Sequence, residues 1–189
     1  MACKGKALRH RRDHVEPEPV EGARWIQLGL GRFTLVDADL FDTLNAQTWS
    51  YAKGYAKRVW SEGDGKIHHM NLHQRVLGLP VGWADHINGN KLDNRRCNLR
   101  PATPSQNGGN GRLQKHSSRF KGVYWHVGTK RWQAMCGSDL KTKYLGSFGD
   151  EEVAARTYDA AARARYGQFA CLNFPMPGEQ SAHRVITNI

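Results

Sequence analysis

No stretch of the chain approaches the ~18 consecutive apolar residues of a membrane-spanning helix, and no basic amphipathic helix stands out. A membrane partner is therefore not expected. Cysteine is scarce and scattered, at Cys3, Cys97, Cys136 and Cys171. No pair has Cys-x-x-Cys spacing, so no structural zinc is expected, and free thiols in a reducing, cytoplasmic compartment are. Arg9, Arg11 and Arg12 stand near the N-terminus without the apolar core of a secretion signal or a clear apolar face. Acidic residues are outnumbered, 17 Asp and Glu against 28 Lys and Arg, for a formal charge of +11. Such a surplus favours a polyanionic partner, because cations placed on phosphates release condensed counterions. Nothing resembles an RNA-binding motif.

With 189 residues the chain can form one ordinary domain or two small ones. Residues 1–23 have little to bury: 4–14 are basic and 15–22 alternate Glu and Pro. They read as a solvated tail or as an arm along phosphates. From Trp25 the pattern is globular. Residues 25–28 and 32–36 flank Gly29 and Gly31 as two short strands around a turn. Asp37 is placed to cap a helix over 38–44. Trp49, Tyr51 and Tyr55 alternate as in a strand and are assigned to the core. Residues 67–79 lead towards Asp85 and His86.

The segment from Asp85 to Arg100 carries the most chemistry. An acid and an imidazole stand together at a strand end, and Asn88-Gly89 supplies a tight turn. Thr103-Pro104-Ser105-Gln106 reads as a capping box, which puts Asn107 in the first turn of a helix. Hydrolysis of a phosphodiester needs a base to take a proton from water and a cation to offset charge on the phosphate. His86 can be that base near neutral pH. Asp85 and Asn107 can offer oxygens to a hard cation such as Mg²⁺, which keeps several waters. Asn98 is suited to bond the backbone of the 87–97 loop. His68, His69 and His73 each fit a structural role, with His73 the best placed to support the site.

The run Asp-His-Ile-Asn-Gly-Asn-x-Leu-Asp-Asn-Arg-Arg-x-Asn-Leu-Arg, followed by Ala-Thr-x-x-Gln-Asn, closely resembles phage and intron-encoded HNH homing endonucleases, of the ββα-metal (His-Me finger) class. The likeness covers residues 67–112 and extends loosely back to Trp25. It implies His86 as general base, Asp85 and Asn107 as ligands of one Mg²⁺ (or Mn²⁺) ion, Asn98 as the loop organiser and products ending in a 3′-hydroxyl. The family commonly carries a histidine-arginine pair before the motif. Here His73 is followed by Gln74, with Arg75 displaced by one.

A glycine-rich stretch, residues 108–111, opens a polar linker to Ser118. Beyond it, residues 120–126, 131–136 and 143–148 read as three strands with turns near Gly128 and Asp139. Asp150 caps a helix with Glu151 and Glu152 in its first turn. Gly167 is placed to end it. Residues 119–175 resemble the plant Apetala-two/ethylene-response-factor DNA-binding domain. The likeness rests on Phe120-Lys121-Gly122-Val123, Trp132, Tyr144-Leu145-Gly146-x-Phe148, the Glu151 to Ala162 helix pattern and the closing Leu172-Asn173-Phe174-Pro175. It implies duplex binding through the sheet. Plant members often have arginine where Tyr124 and Gly137 stand, so a plant-type base preference does not carry over.

The reading is an α+β protein: a ββα-metal nuclease region over 24–112, with its core at 67–112, a linker over 113–118, and a three-stranded antiparallel sheet packed on one helix over 119–175. Residues 1–23 and 176–189 flank it. The expected activity is site-selective, metal-dependent DNA cleavage in a bacterial host cell, by a phage or mobile-element protein. The expected partner is double-stranded DNA, with no small-molecule cofactor. Candidate DNA contacts are Arg95, Arg96, Arg100, Lys121, Tyr124, His126, Lys143 and Tyr144. A non-catalytic DNA-binding regulator is the alternative, against which the intact Asp85, His86, Asn98 and Asn107 argue.

Overall fold

The computed structural model describes residues 15–63, 65–79, 83–111, 117–138 and 141–183. The basic segment 4–14, most of the expected linker and the Asp139 turn lie outside these. The chain is mixed α+β, with small antiparallel sheets and few helices.

Strands β1 (Ala23–Gly29) and β2 (Arg32–Asp37) pair antiparallel around the expected glycine turn. Leu30, at φ +53°, sits at its tip between the two glycines. The helix expected over 38–44 is split into a 3₁₀ turn (Ala38–Leu40) and α1 (Phe41–Asn45). Asp37 does not cap it, because its carboxylate accepts the Arg96 backbone N–H at 2.9 Å.

Residues 49–55 form not one strand but a hairpin of β3 (Ser50–Ala52) and β4 (Tyr55–Ser61). Lys53 and Gly54 both take positive φ, +50° and +92°, as a tight hairpin turn requires. Of the aromatics assigned to the core, Trp49 is buried and donates to Leu44 O, whereas Tyr51 is exposed. Tyr51 lies on β3, the edge strand of this sheet, under the Arg32 guanidinium.

β5 (Ile67–Asn71) leads into a short helix that the sequence reading lacked, α2 (Leu72–Val76), opened by a capping box between Asn71 and Gln74. Then β6 (Trp83–His86) pairs with β7 (Leu99–Ala102), and α3 (Pro104–Gly109) follows. The Thr103 capping box is present: Thr103 Oγ1 accepts from Gln106 N, and Thr103 N donates to Gln106 Oε1. Ile26, Leu28, Val36, Leu44, Trp49, Ala56 and Leu72 make a buried core under these elements.

The C-terminal sheet has the order β10-β9-β8, from β8 (Val123–His126), β9 (Arg131–Ser138) and β10 (Lys141–Phe148). α4 (Glu151–Tyr166) is capped by Asp150, which accepts from Val153 N, and ends at Gly167 with φ +53°. Its alanines Ala154, Ala155 and Ala162 are fully buried: the first two let the helix lie close on Val123 and Ala134, and Ala162 packs in the cluster of Cys136, Tyr166 and Phe169. Asp159 on the same helix is buried and accepts from the backbone of Asn173 and Phe174, which fastens the chain's return.

Candidate active site

β6 and β7 run in register, with Asp85 opposite Arg100 and His86 opposite Leu99. Alternation along a strand sends neighbouring side chains to opposite sides. Asp85 and His86 are both buried, with separate surroundings.

The Asp85 side faces α3. Arg100 sets Nε and Nη2 2.8 and 2.7 Å from Asp85 Oδ2. Asn110, just past α3, donates from Nδ2 to Asp85 Oδ1 and to His86 O, each at 2.8 Å. Those acceptors fix its amide orientation. Among the described residues Asn110 Oδ1 is then left buried without a hydrogen-bond partner, a state that costs stability unless something else occupies it. Both Asp85 oxygens are thus engaged within the chain, Oδ2 by Arg100 and Oδ1 by Asn110, while carboxylate and amide oxygens of the kind gathered here are the donor types that a hard cation takes. Asn107 is half-buried in α3, one turn before Asn110 and on the same face. The side chain from this helix end that bonds to Asp85 is Asn110, a residue not among the candidates drawn from the sequence. Its signal was the i, i+3 spacing from Asn107.

The His86 side faces the N-terminal half. His86 Nε2 lies 3.3 Å from Asn94 Oδ1. Asn94 Nδ2 donates to Thr34 Oγ1 at 2.8 Å, and Thr34 Oγ1 donates to Leu92 O at 2.8 Å. The His73 ring meets His86 edge-on at 5.2 Å, and Tyr55 tilts against it at 6.1 Å. Burial pushes the His86 pKa below its ordinary value, opposed by the Asn94 hydrogen bond and by Asp85 and Asp93. Burial, and then the His86 charge, push His73 down to about 4. Both rings are thus neutral near pH 7, as a proton acceptor must be.

The loop between the strands is held from within. Asn98 donates to Asp93 O and accepts from Asn88 N, both at 2.8 Å. The buried Asp93 carboxylate receives Asn88 Nδ2, Arg95 N, Arg95 Nε and Arg95 Nη2. Backbone bonds Leu35 N to Leu92 O and Asn94 N to Leu35 O tie the loop to β2.

Of the expected DNA contacts, several have partners inside the chain. Arg95 is engaged by Asp93, Arg100 by Asp85, and Arg96 by Asp39 at 2.9–3.0 Å. Arg96 keeps half its side chain exposed. Lys121 needs a correction. Its Nζ donates to the carbonyls of Gly109 and Cys171, and it stands over the Tyr158 ring, away from the open sheet face. It precedes β8, where Gly122 at φ +74° turns the chain. Tyr124, His126 and Tyr144 do share the sheet face away from α4, by their pairing with Gln133, Arg131 and Met135. Lys143, opposite buried Cys136, is exposed but belongs to the other face.

An uncharacterized HNH endonuclease of Acanthamoeba polyphaga mimivirus is 30% identical to the chain over 147 residues, which are 77% of this chain and 76% of the relative. The chain belongs to the HNH endonuclease family. Protein 3.8 of Escherichia phage T7 is 32% identical over 105 residues, 54% of this chain and 86% of that protein. An AP2-like ethylene-responsive transcription factor of Arabidopsis thaliana is 41% identical over 78 residues, 36% of this chain but only 25% of the plant protein. No protein-family model matches. Within the described residues of this family member, no helix is long and apolar enough to cross a membrane.

Proposed function

We propose that the chain is a metal-dependent, site-selective endonuclease of double-stranded DNA, with His86 as general base. The observation that carries this reading is the buried His86 next to Asp85 at the mouth of a loop locked by Asn98. His86 takes a proton from a water molecule, whose oxygen forms a bond to phosphorus as the bond to the 3′-oxygen breaks; the 3′-oxygen leaves with the electron pair and takes a proton from solvent, giving a 3′-hydroxyl and a 5′-phosphate. Asp85 would supply a carboxylate, and Asn110 and Asn107 amide oxygens, to one Mg²⁺-like (or Mn²⁺) ion. Such an ion, when bound, offsets charge on the phosphate and the departing oxygen. His73 meets the imidazole ring edge-on and Tyr55 tilts against it, so that the two hold the ring in place.

The C-terminal sheet is proposed to bind duplex DNA with Tyr124, His126, Arg131 and Tyr144. A sheet can enter the major groove and read base edges. Likeness to plant transcription factors supports this role, and a surplus of 11 positive charges supports affinity for phosphate. The pairing of a nuclease with such a unit suits a mobile-element or phage enzyme.

The test is conversion of supercoiled plasmid to nicked or linear forms, with Mg²⁺ and with excess chelator. Cleavage with Mg²⁺ and none with chelator is expected. A wild-type chain that binds plasmid but never cuts it would leave a non-catalytic DNA binder instead.

A further inference from the structure

Asn94 and Thr34 take no direct part in the proposed reaction, yet among the described residues they form a polar relay to His86 Nε2: Nε2 to Asn94 Oδ1 at 3.3 Å, Asn94 Nδ2 to Thr34 Oγ1 at 2.8 Å, and Thr34 Oγ1 to Leu92 O at 2.8 Å. Thr34 and Asn94 are fully buried, so water does not share these bonds. We propose that Asn94, oriented by Thr34, is a positioning residue that fixes the tautomer of His86, placing the proton on Nε2 and the basic lone pair on Nδ1.

The direction of every bond follows from the end of the chain of donors. Leu92 O is a carbonyl and only accepts. Thr34 has one hydroxyl proton, and giving it to Leu92 leaves Oγ1 to accept from Asn94 Nδ2. The Asn94 amide is thereby turned with Oδ1 towards His86, and an amide oxygen can only accept. His86 Nε2 must then donate. The reverse arrangement, with the Asn94 amide flipped, spends the Thr34 proton on Asn94 and loses the bond to Leu92. It satisfies one hydrogen bond fewer in a buried setting, where each unmade bond is costly. After His86 takes a proton on Nδ1, Nε2–H still has Asn94 Oδ1 to receive it, so the imidazolium keeps its partner. Thr34 lies on β2, 60 residues from Asn94. The N-terminal hairpin therefore sets the chemistry of the site.

The inference rests on His86 as general base, and its test separates the two. In the full chain labelled with ¹⁵N-histidine, the His86 signals are found by their loss in His86→Gln. The wild-type spectrum at pH 7.5 should show Nε2 as the protonated nitrogen and Nδ1 as the bare one. Thr34→Val keeps the shape but removes the hydroxyl. It should shift His86 towards the Nδ1–H form and slow cleavage at saturating Mg²⁺ by roughly tenfold, the scale of one buried hydrogen bond, with DNA affinity unchanged. Thr34→Ser should restore both the spectrum and the rate. Asn94→Asp, whose carboxylate still accepts from Nε2, should keep the Nε2–H form where Asn94→Leu loses it. Nδ1–H in the wild type, or a Thr34→Val chain with the wild-type tautomer and rate, overturns the inference. Absence of cleavage by the wild type defeats the nuclease reading alone, because the spectrum decides the tautomer in either case.

Discussion

His86 and His73 are chemically the same residue in one aromatic cluster, and their surroundings divide their roles. His86 has a hydrogen-bond acceptor on Nε2 and carboxylates nearby, which partly offset its burial. His73 has burial and the His86 charge, both of which oppose protonation. His86→Ala should therefore reduce cleavage by ~10²–10⁴-fold, the usual cost of losing a positioned base, while DNA affinity by gel shift stays within about twofold. A variant that cuts nearly as fast as wild type sinks the role. For His73 the prediction concerns stability. The unfolded chain binds the His73 proton near 6.5 and the folded chain only near 4. Between those values the unfolded state holds more protons, so stability rises with pH. It is complete above 6.5 and falls as pH drops towards 4, by about 3 kcal/mol in all. Urea unfolding at pH 7 and pH 4.5 should show this loss in the wild type and a much smaller one in His73→Phe. An equal loss in both chains would place the titrating group elsewhere.

The elements that were legible in the sequence are those whose signals are local. Turns and caps depend on neighbours a few residues apart, so the Gly29–Gly31 turn, the Thr103 capping box and the Asp150 cap could be read directly, as could the three C-terminal strands. α2 was not legible, because five residues give too short a period to separate from the strand before it. The link from Thr34 to Asn94 had no local signal, since it joins residues 60 apart. Tyr51 was misassigned because alternation alone does not tell an edge strand from a central one. Within the 87–98 loop, Asn98 bridges Asp93 O and Asn88 N. Asn98→Ala should lower stability by about 2 kcal/mol, the scale of leaving such groups unpaired, and slow cleavage with it, because the loop carries both Asn94 and the exit of β6. Paired measurements of denaturation midpoint and cleavage rate check this. A change in rate without one in stability would mean that Asn98 acts on the reaction rather than on the loop.

At the scale of the molecule, the sequence suggested two units joined by a linker, and the described residues show a seam between them. Arg100, which grips Asp85, also donates to Gln168 O at 3.0 Å and lies 3.9 Å over the Phe169 ring. Lys121 Nζ donates to Gly109 O, and Ala102 packs on the cluster around Tyr166 and Phe169. Gly109 is the tightest point: a Cβ there would stand 2.6 Å from Tyr166 Cγ and 2.8 Å from Cδ1. This gives a test whose sign depends on the seam. In a helix end facing solvent, Gly109→Ala would be neutral or stabilising by up to ~1 kcal/mol, since alanine is the better helix former. Against Tyr166 the added methyl forces a ring or backbone shift, and the cost is about 1–3 kcal/mol. The full chain should therefore be destabilised by Gly109→Ala, whereas Gly149→Ala, with nothing within 4 Å of the added carbon, should change little. Cleavage should fall in the first variant as well, because displacing α4 from α3 pulls Gln168 and Phe169 away from Arg100 and loosens Asp85. A Gly109→Ala chain as stable as wild type would mean that the two units do not meet along this seam in solution, and that the C-terminal sheet is tied to the nuclease only through the chain.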